Sequence, residues 1–557
     1  MKQSSEKIRS RRSERGQAIV LIAAGFIGLV AMVGLVTDTG LLLIEYGKLK
    51  RSVDSAAVAA AQEFRPDPDT GNLNMDAMEN AAHSFLLINQ IENVRDVVIH
   101  TCEDTGEDRP DLCNPDPEGN PIANRKLVEV TAKADVGLAF LRVLGINSVE
   151  LTVTSIGEAS TIDLVLLIDT SGSMAYETSG ALNGADPGDD PRICNAAQAD
   201  SDGDGDLDPG TCQPMRAVQN VALDFVDSLI YFGYDRVSII TMTQQAADIS
   251  DAVERDPTVV LPLEFDENSI LFHLDNLKVF QPRICDGSNS PGECLQYLSG
   301  TYNKPYCEIY ESAIGHSDPG VRATADPSSC PSSNIGGMLA LAQNVFSGAA
   351  SPDPNSQPRA DSLWVTVLLA SGPANASTPS PADADDYPYG YCPQNTWLFF
   401  LMPDPKPKWC RDAYPSNERS AASPLVSYEN PISHELMDIS EYDAEDYARD
   451  MADGLAALKT RTGVTIYTIG LGENVGTIQA NGSPAVTCEV EVVDAMGVVS
   501  TRQCGEAEYL LSYIARDAGD AWLPTINHGD YFYAPTDAYL RNIFEIIAQN
   551  IATKISQ

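Results

Sequence analysis

The apolar positions of this chain fall into distinct regimes. From Ala18 to Val36 no charged residue interrupts an apolar run. At about 1.5 Å per residue such a helix is roughly 28 Å long, close to the hydrocarbon thickness of a bilayer. After Asp38 helical spacing persists, with Leu49, Val53, Ala56 or Ala57, and Ala60 recurring up to about Gln62. Asp76 to Leu87 then predicts a helix with Met78, Ala81, Ala82 and Phe85 on one side. Asp96 to His100, Lys126 to Ala134 and Glu150 to Ile156 alternate or run apolar as strands do. Farther on, Leu164 to Ile168 is an unbroken apolar run, the pattern of a strand buried on both faces of a parallel sheet. The expected organisation is a basic tail (1–15), an anchor helix with extension (16–65), a small α+β domain (66–160) and a sheet domain (161–557).

Charge and cysteine content sharpen this picture. The 557 residues carry 79 acidic against 36 basic side chains, a formal net charge of −43, and no nucleic-acid partner is expected of so acidic a chain. The first fifteen residues run the other way, with Lys2, Lys7, Arg9, Arg11, Arg12 and Arg15 against Glu6 and Glu14. That flank predicts a single-pass membrane protein with a cytoplasmic N-terminus and an extracytoplasmic bulk. A cleaved secretory signal is the rival reading; its apolar region would be shorter and followed closely by a small-x-small site. Twelve cysteines fall as neighbours: Cys102/Cys113, Cys194/Cys212, Cys285/Cys294, Cys307/Cys330, Cys392/Cys410 and Cys488/Cys504. The even count in Pro- and Gly-rich loops predicts disulfides and an oxidising compartment. Neighbour pairing is expected, although spacing alone leaves the connectivity open.

The candidate chemistry follows the run Leu164 to Ile168. Asp169-Thr170-Ser171-Gly172-Ser173 places a carboxylate and two hydroxyls at the end of a strand. Oxygen ligands of this kind suit a hard cation such as Mg2+, Mn2+ or Ca2+, and open α/β sheets bind ligands at this end of their strands. With this motif, Ile162 to Gln557 resembles the von Willebrand factor A domain and its metal-ion-dependent adhesion site. Met215 to Ile230 resembles the first helix of that family, with Val218, Ala222, Phe225 and Leu229 on one face. Asp235 to Ile240 resembles its second strand, Leu363 to Ala370 its fourth and Gly463 to Gly470 its fifth. Tyr531 to Ala534 and Ala538 to Ile555 resemble its closing elements. The resemblance implies an α/β fold, a doubly wound and mostly parallel sheet. It also implies a metal set of Asp169, Ser171, Ser173, Ser333 and Ser371 holding Mg2+ or Mn2+. Two of these depart from the family: Ser333 stands where Thr is usual, and Ser371 where Asp is usual. Losing the second carboxylate should weaken cation affinity.

The N-terminal segment carries a second resemblance. Arg15-Gly16-Gln17-Ala18-Ile19-Val20, Val36-Thr37-Asp38 and Val53 to Ala61 resemble the TadE/TadG-like family of Flp (Tad) pilus-assembly proteins. That likeness implies pilus-assembly components as partners. Pilin-like members are cut after a Gly with Glu at the fifth position beyond; here Gly16 is followed at that distance by Leu21.

Four long inserts interrupt the sheet domain, at about 175–213, 281–332, 373–442 and 473–506, and ten of the twelve cysteines lie in them. Stapled loops on a rigid scaffold suit recognition of a protein ligand or surface carboxylate, or else protect an exposed protein. The first insert holds Asp200, Asp202, Asp204, Asp206 and Asp208, with Gly205 at the sixth position of a calcium-loop pattern. Thr211 stands where an EF-hand has Glu, and the segment is more similar to the calcium loops of thrombospondin-type repeats. The alternative is a solvated acidic linker. No HExxH, GxSxG or phosphate loop is present, and Ser171 and Ser173 have no adjacent base in sequence. A non-enzymatic, metal-dependent adhesion protein is therefore expected, with a metal-free structural pilus subunit or scaffold as the alternative.

Overall fold

The computed structural model describes residues 14–67, 70–89, 94–113, 125–175, 194–196, 210–243, 257–280, 297–298, 301–302, 333–374, 444–472, 475, 489–493 and 499–555. The chain divides into two compact units, Met1–Ala159 and Ser160–Gln557.

The first unit is built on α1 (Glu14–Gln62), an unbroken helix of 49 residues. Its stretch from Ile19 onward is long and apolar enough to cross a membrane. Ile19 to Val33 is largely exposed apolar surface, whereas Leu49, Val53, Ala56, Ala57 and Ala60 are buried. The apolar stripe read from the sequence thus faces a core, and small alanines let the sheet approach closely. That sheet is antiparallel, with β2 (Lys126–Gly137) between β1 (Val94–Thr101) and β3 (Ser148–Ala159). Helix α2 (Met75–Ile88) is opened by Asn74, whose side chain accepts the Ala77 N–H at 2.9 Å. It buries Met78, Ala82 and Leu86, while Phe85, expected inside, is exposed. A disulfide joins Cys102 to Cys113 just after β1.

The second unit is a six-stranded sheet. Its strands are β4 (Ile162–Ile168), β5 (Arg236–Thr241), β6 (Thr258–Glu264), β7 (Leu363–Ala370), β8 (Thr465–Leu471) and β9 (Tyr531–Ala534). They lie in the order β9-β8-β7-β4-β5-β6, all parallel except the edge pair β5–β6. Alternate residues of β4 feed two cores. Leu164, Leu166 and Ile168 pack under α3 (Met215–Leu229), α4 (Glu267–Asp275) and α8 (Leu540–Ile555). Val165 and Leu167 pack under α5 (Ile335–Phe346), α6 (Ala444–Ala456) and α7 (Glu506–Arg516). A central strand covered on both faces has to be apolar throughout, which is why β4 reads as an uninterrupted run. The architecture is the doubly wound, mostly parallel α/β fold of the von Willebrand factor A type. A second disulfide, Cys194–Cys212, leads into α3, and Cys504 is also disulfide-bonded.

Candidate binding site at the carboxyl edge of the sheet

Strands β4 and β7 are neighbours in register, with Ile168 opposite Leu369, so the residues that follow them emerge side by side. Asp169 leaves β4, and Ser371 leaves β7. Asp169 is fully buried, and both of its carboxylate oxygens are engaged. Oδ1 accepts the Ser171 N–H at 2.8 Å. Oδ2 accepts the Ser371 N–H and the Ser371 hydroxyl, each at 2.7 Å. The hydroxyls then close on one another. Ser171 Oγ lies 2.8 Å from Ser173 Oγ, and Ser173 Oγ lies 2.7 Å from Ser371 Oγ. Ser333 is buried, and its hydroxyl backs Gly372, where an added Cβ would sit 3.8 Å from it. The fold therefore gathers Asp169, Ser171, Ser173 and Ser371 into one hydrogen-bonded cluster with Ser333 alongside.

This geometry corrects the cation expectation. Among the described residues, no group of three or more His, Cys, Asp and Glu side chains is placed to hold a metal ion. Asp169 brings the cluster's single carboxylate, and its oxygens already accept donors from this chain. Ser371 is the physical reason. A second carboxylate there would repel Asp169 and call for a cation, whereas a hydroxyl donates to Asp169 and neutralises that demand. Mg2+ or Mn2+ at Asp169, Ser171, Ser173, Ser333 and Ser371, and with it metal-dependent adhesion, is withdrawn. The Ca2+ expectation shares this correction among the described residues. Its loop, Asp200, Asp202, Asp204, Asp206 and Asp208, lies outside them, as do most residues of the four inserts.

Several supporting residues were not singled out from the sequence. Thr170 Oγ1 pairs with Thr243 Oγ1 at 2.8 Å, tying the exits of β4 and β5 together, and Thr170 O accepts the Phe280 N–H at 2.7 Å. Asn334, next to Ser333, caps α5 by accepting the Gly337 N–H at 2.8 Å, so the loop holding Ser333 is fixed by a helix start. Asn195, beside Cys194, donates to Val279 O at 2.7 Å and accepts the Val279 N–H at 2.9 Å. An Asn directly before Ile335-Gly336-Gly337 is a legible cap signal; the Thr170–Thr243 pair, 73 residues apart, has none in one sequence.

The cluster offers neutral hydroxyls around a carboxylate that is already satisfied. No histidine joins it among the described residues; the three hydroxyls bond in a chain that ends on Asp169. The cluster thus gives the sheet a polar, hydroxyl-lined edge suited to hydrogen-bonded contact.

The chain shows the following similarities to known proteins. Residues 16–63 match the Flp pilus-assembly TadE/G-like family. No curated protein matches the chain. Among solved structures the chain is similar to the PilB minor pilin from Streptococcus sanguinis, with 12% identity, a TM-score of 0.31, and coverage of 83% of this chain and 79% of that one. It is similar to the vWF domain of the type V pili tip protein Mfa5 from Porphyromonas gingivalis, with 13% identity, a TM-score of 0.29, and coverage of 71% and 97%. A third similarity, to proximal thread matrix protein 1 from the mussel byssus, has 11% identity and a TM-score of 0.28, and covers 71% of this chain and 49% of that one. By its sheet topology and its long apolar helix, the chain is a membrane-anchored α/β protein with a fold of the von Willebrand factor A type. Its N-terminal segment links it to the Tad pilus-assembly proteins.

Proposed function

We propose that this protein is a membrane-anchored structural subunit or scaffold associated with Flp/Tad pilus assembly. Its A-type unit contacts protein or surface partners without a bridging metal. The observation that carries this reading is the closed Asp169–Ser371 contact: the chain's own hydroxyl and amide occupy the carboxylate that a cation would need. The TadE/G-like segment at 16–63 supports the pilus association. The basic residues ahead of the span favour a cytoplasmic N-terminus, with the chain beyond the span on the far side of the membrane.

Cross-linking in membranes of cells that carry the pilus-assembly proteins tests this. The chain should be captured with those components equally well in EDTA and in millimolar Mg2+. Deleting 16–63 should abolish capture, and protease added from outside should reach residues beyond 160. Capture that disappears on chelation would overturn the metal-free reading. Capture of no pilus component under either condition would overturn the pilus association.

A further inference from the structure

The first unit carries an apolar loop whose position along α1 is unexpected for a soluble surface. Residues 138–146 read Leu-Ala-Phe-Leu-Arg-Val-Leu-Gly-Ile and contain one 3-10 turn, Leu141–Leu144. Phe140 is 43% exposed, Val143 87% and Ile146 47%. The loop packs on α1 at Gly34, where an added Cβ would fall 2.7 Å from Phe140 Cβ. Gly34 belongs to the charge-free run that ends at Val36, so it lies about 3 Å, two residues of helix, inside that run's end. A loop resting on Gly34 therefore reaches the depth of the acyl chains or their boundary. Neighbouring positions of α1 are also exposed and apolar, namely Leu35, Val36, Leu43 and Ile44. The loop thus exposes apolar side chains where it packs on the apolar stretch of α1.

In lipid an unsatisfied backbone N–H is costly, so a loop at the headgroup/acyl boundary needs its amides bonded internally. This loop meets the condition through Asp38. Its carboxylate accepts the N–H of Ala139 at 2.9 Å, of Phe140 at 3.0 and 3.1 Å, and of Leu141 at 2.7 Å. The remaining turn closes on itself, with Val143 N–H on Phe140 O at 3.0 Å, Gly145 N–H on Arg142 O at 3.1 Å and Ile146 N–H on Leu141 O at 3.2 Å. Leu138 N–H bonds Asn147 O at 3.0 Å. Asp38 is itself fully buried, so the carboxylate and the amides remove each other's need for water.

We propose that the loop 138–146 is a second membrane-contacting element, seated in the leaflet at the C-terminal end of the α1 span. Phe140, Val143 and Ile146 lie among the acyl chains, and the exposed Arg142 reaches the lipid phosphates. The occupant of this surface is lipid, because the loop that exposes it packs on the apolar stretch of the anchor. The inference rests on α1 crossing the membrane.

The full chain is reconstituted in phosphatidylethanolamine and phosphatidylglycerol vesicles in which part of the lipid is brominated on the acyl chains. Tryptophan emission of Val143→Trp and, separately, Ile27→Trp is compared with that of the parent. Both added tryptophans should emit at short wavelength and lose roughly half their added intensity to bromine, as for a side chain held about 5–10 Å into the headgroup/acyl boundary or deeper. Quenching of the Ile27→Trp signal without quenching of the Val143→Trp signal overturns the proposal and leaves the anchor standing. Quenching of neither removes the anchor reading as well. A blue-shifted but unquenched Val143→Trp signal assigns the surface to a protein partner and also overturns the proposal.

Discussion

Asp163 and Arg236 face each other across β4 and β5 as a forked ion pair, Nε to Oδ1 at 3.0 Å and Nη2 to Oδ2 at 2.8 Å. Asp163 is fully buried, and Arg236 nearly so. Arg359 closes the arrangement from the segment before β7, with Nη2 on Oδ1 at 2.8 Å and its N–H on Oδ2 at 2.9 Å. This cluster sits at the opposite end of β4 from Asp169. Asp163→Ala should destabilise the second unit by about 3–5 kcal/mol, because it strands a buried guanidinium. Denaturant unfolding of the full chain, followed by a signal from the second unit, checks this. A loss below about 1 kcal/mol would mean that the pair behaves as a surface bridge.

At the other end of the strand, Ser371 is predicted to decide metal dependence. The thermal midpoint of the parent should be the same in EDTA and in Mg2+. Ser371→Asp replaces the donor 2.7 Å from Asp169 Oδ2 with a like charge, so its midpoint should fall in EDTA and recover in part with Mg2+. A parent whose midpoint rises with Mg2+ as steeply as that of the variant would contradict the hydroxyl-closed cluster.

Gly157 marks the close approach of β3 to α1. A Cβ there would fall 2.2 Å from Ala57 O, a backbone atom that cannot rotate away. Gly157→Ala should therefore cost about 1–3 kcal/mol by overpacking and lift the helix from the sheet. Faster amide exchange at buried Ala56 and Ala57 would report the separation.

Tyr467, in β8, is buried, and its hydroxyl has no hydrogen-bond partner among the described residues. Burial, together with the nearby Asp530, pushes its phenol well above the ordinary tyrosine value. Above about pH 10 the unfolded chain ionises this group while the native chain keeps its proton. The native state then binds more protons, so stability falls as pH rises through that window. Tyr467→Phe should be neutral or stabilising at pH 7, since it removes an unpaired buried hydroxyl. It should also flatten the alkaline loss. Paired urea titrations at neutral and alkaline pH would show whether the two proteins diverge as expected.

Much of the fold was legible because the sheet's central strands are covered twice. The run Leu363 to Ala370 matches β7 residue for residue, and Met215 to Ile230 exceeds α3 by one position. The edge strand β6 was not read. It is half-exposed and slips register against β5, and Pro262 interrupts its apolar run Val259-Val260-Leu261, which demotes the run as a strand signal. Helix α6 was hidden for a different reason. It buries Glu445, Asp446, Arg449, Asp450 and Asp453, and a stretch so charged reads as solvent-facing. At the candidate site Asp169, Ser171, Ser173 and Ser371 come together, but as a hydroxyl cluster closed on Asp169 and not as the metal set that the motif suggests. Hydroxyl direction is set by the three-dimensional neighbours, which one sequence does not display. The same holds for Asp38, whose partners lie 101 to 103 residues away.

Because α1 continues without a break from the apolar span to the buried alanines beneath β3, the first unit has no hinge against its own anchor. Tension applied to that unit is transmitted as load along a stiff rod rather than taken up by slack chain. Such a lever couples mechanical pull on that unit directly to tilt of the span within the bilayer.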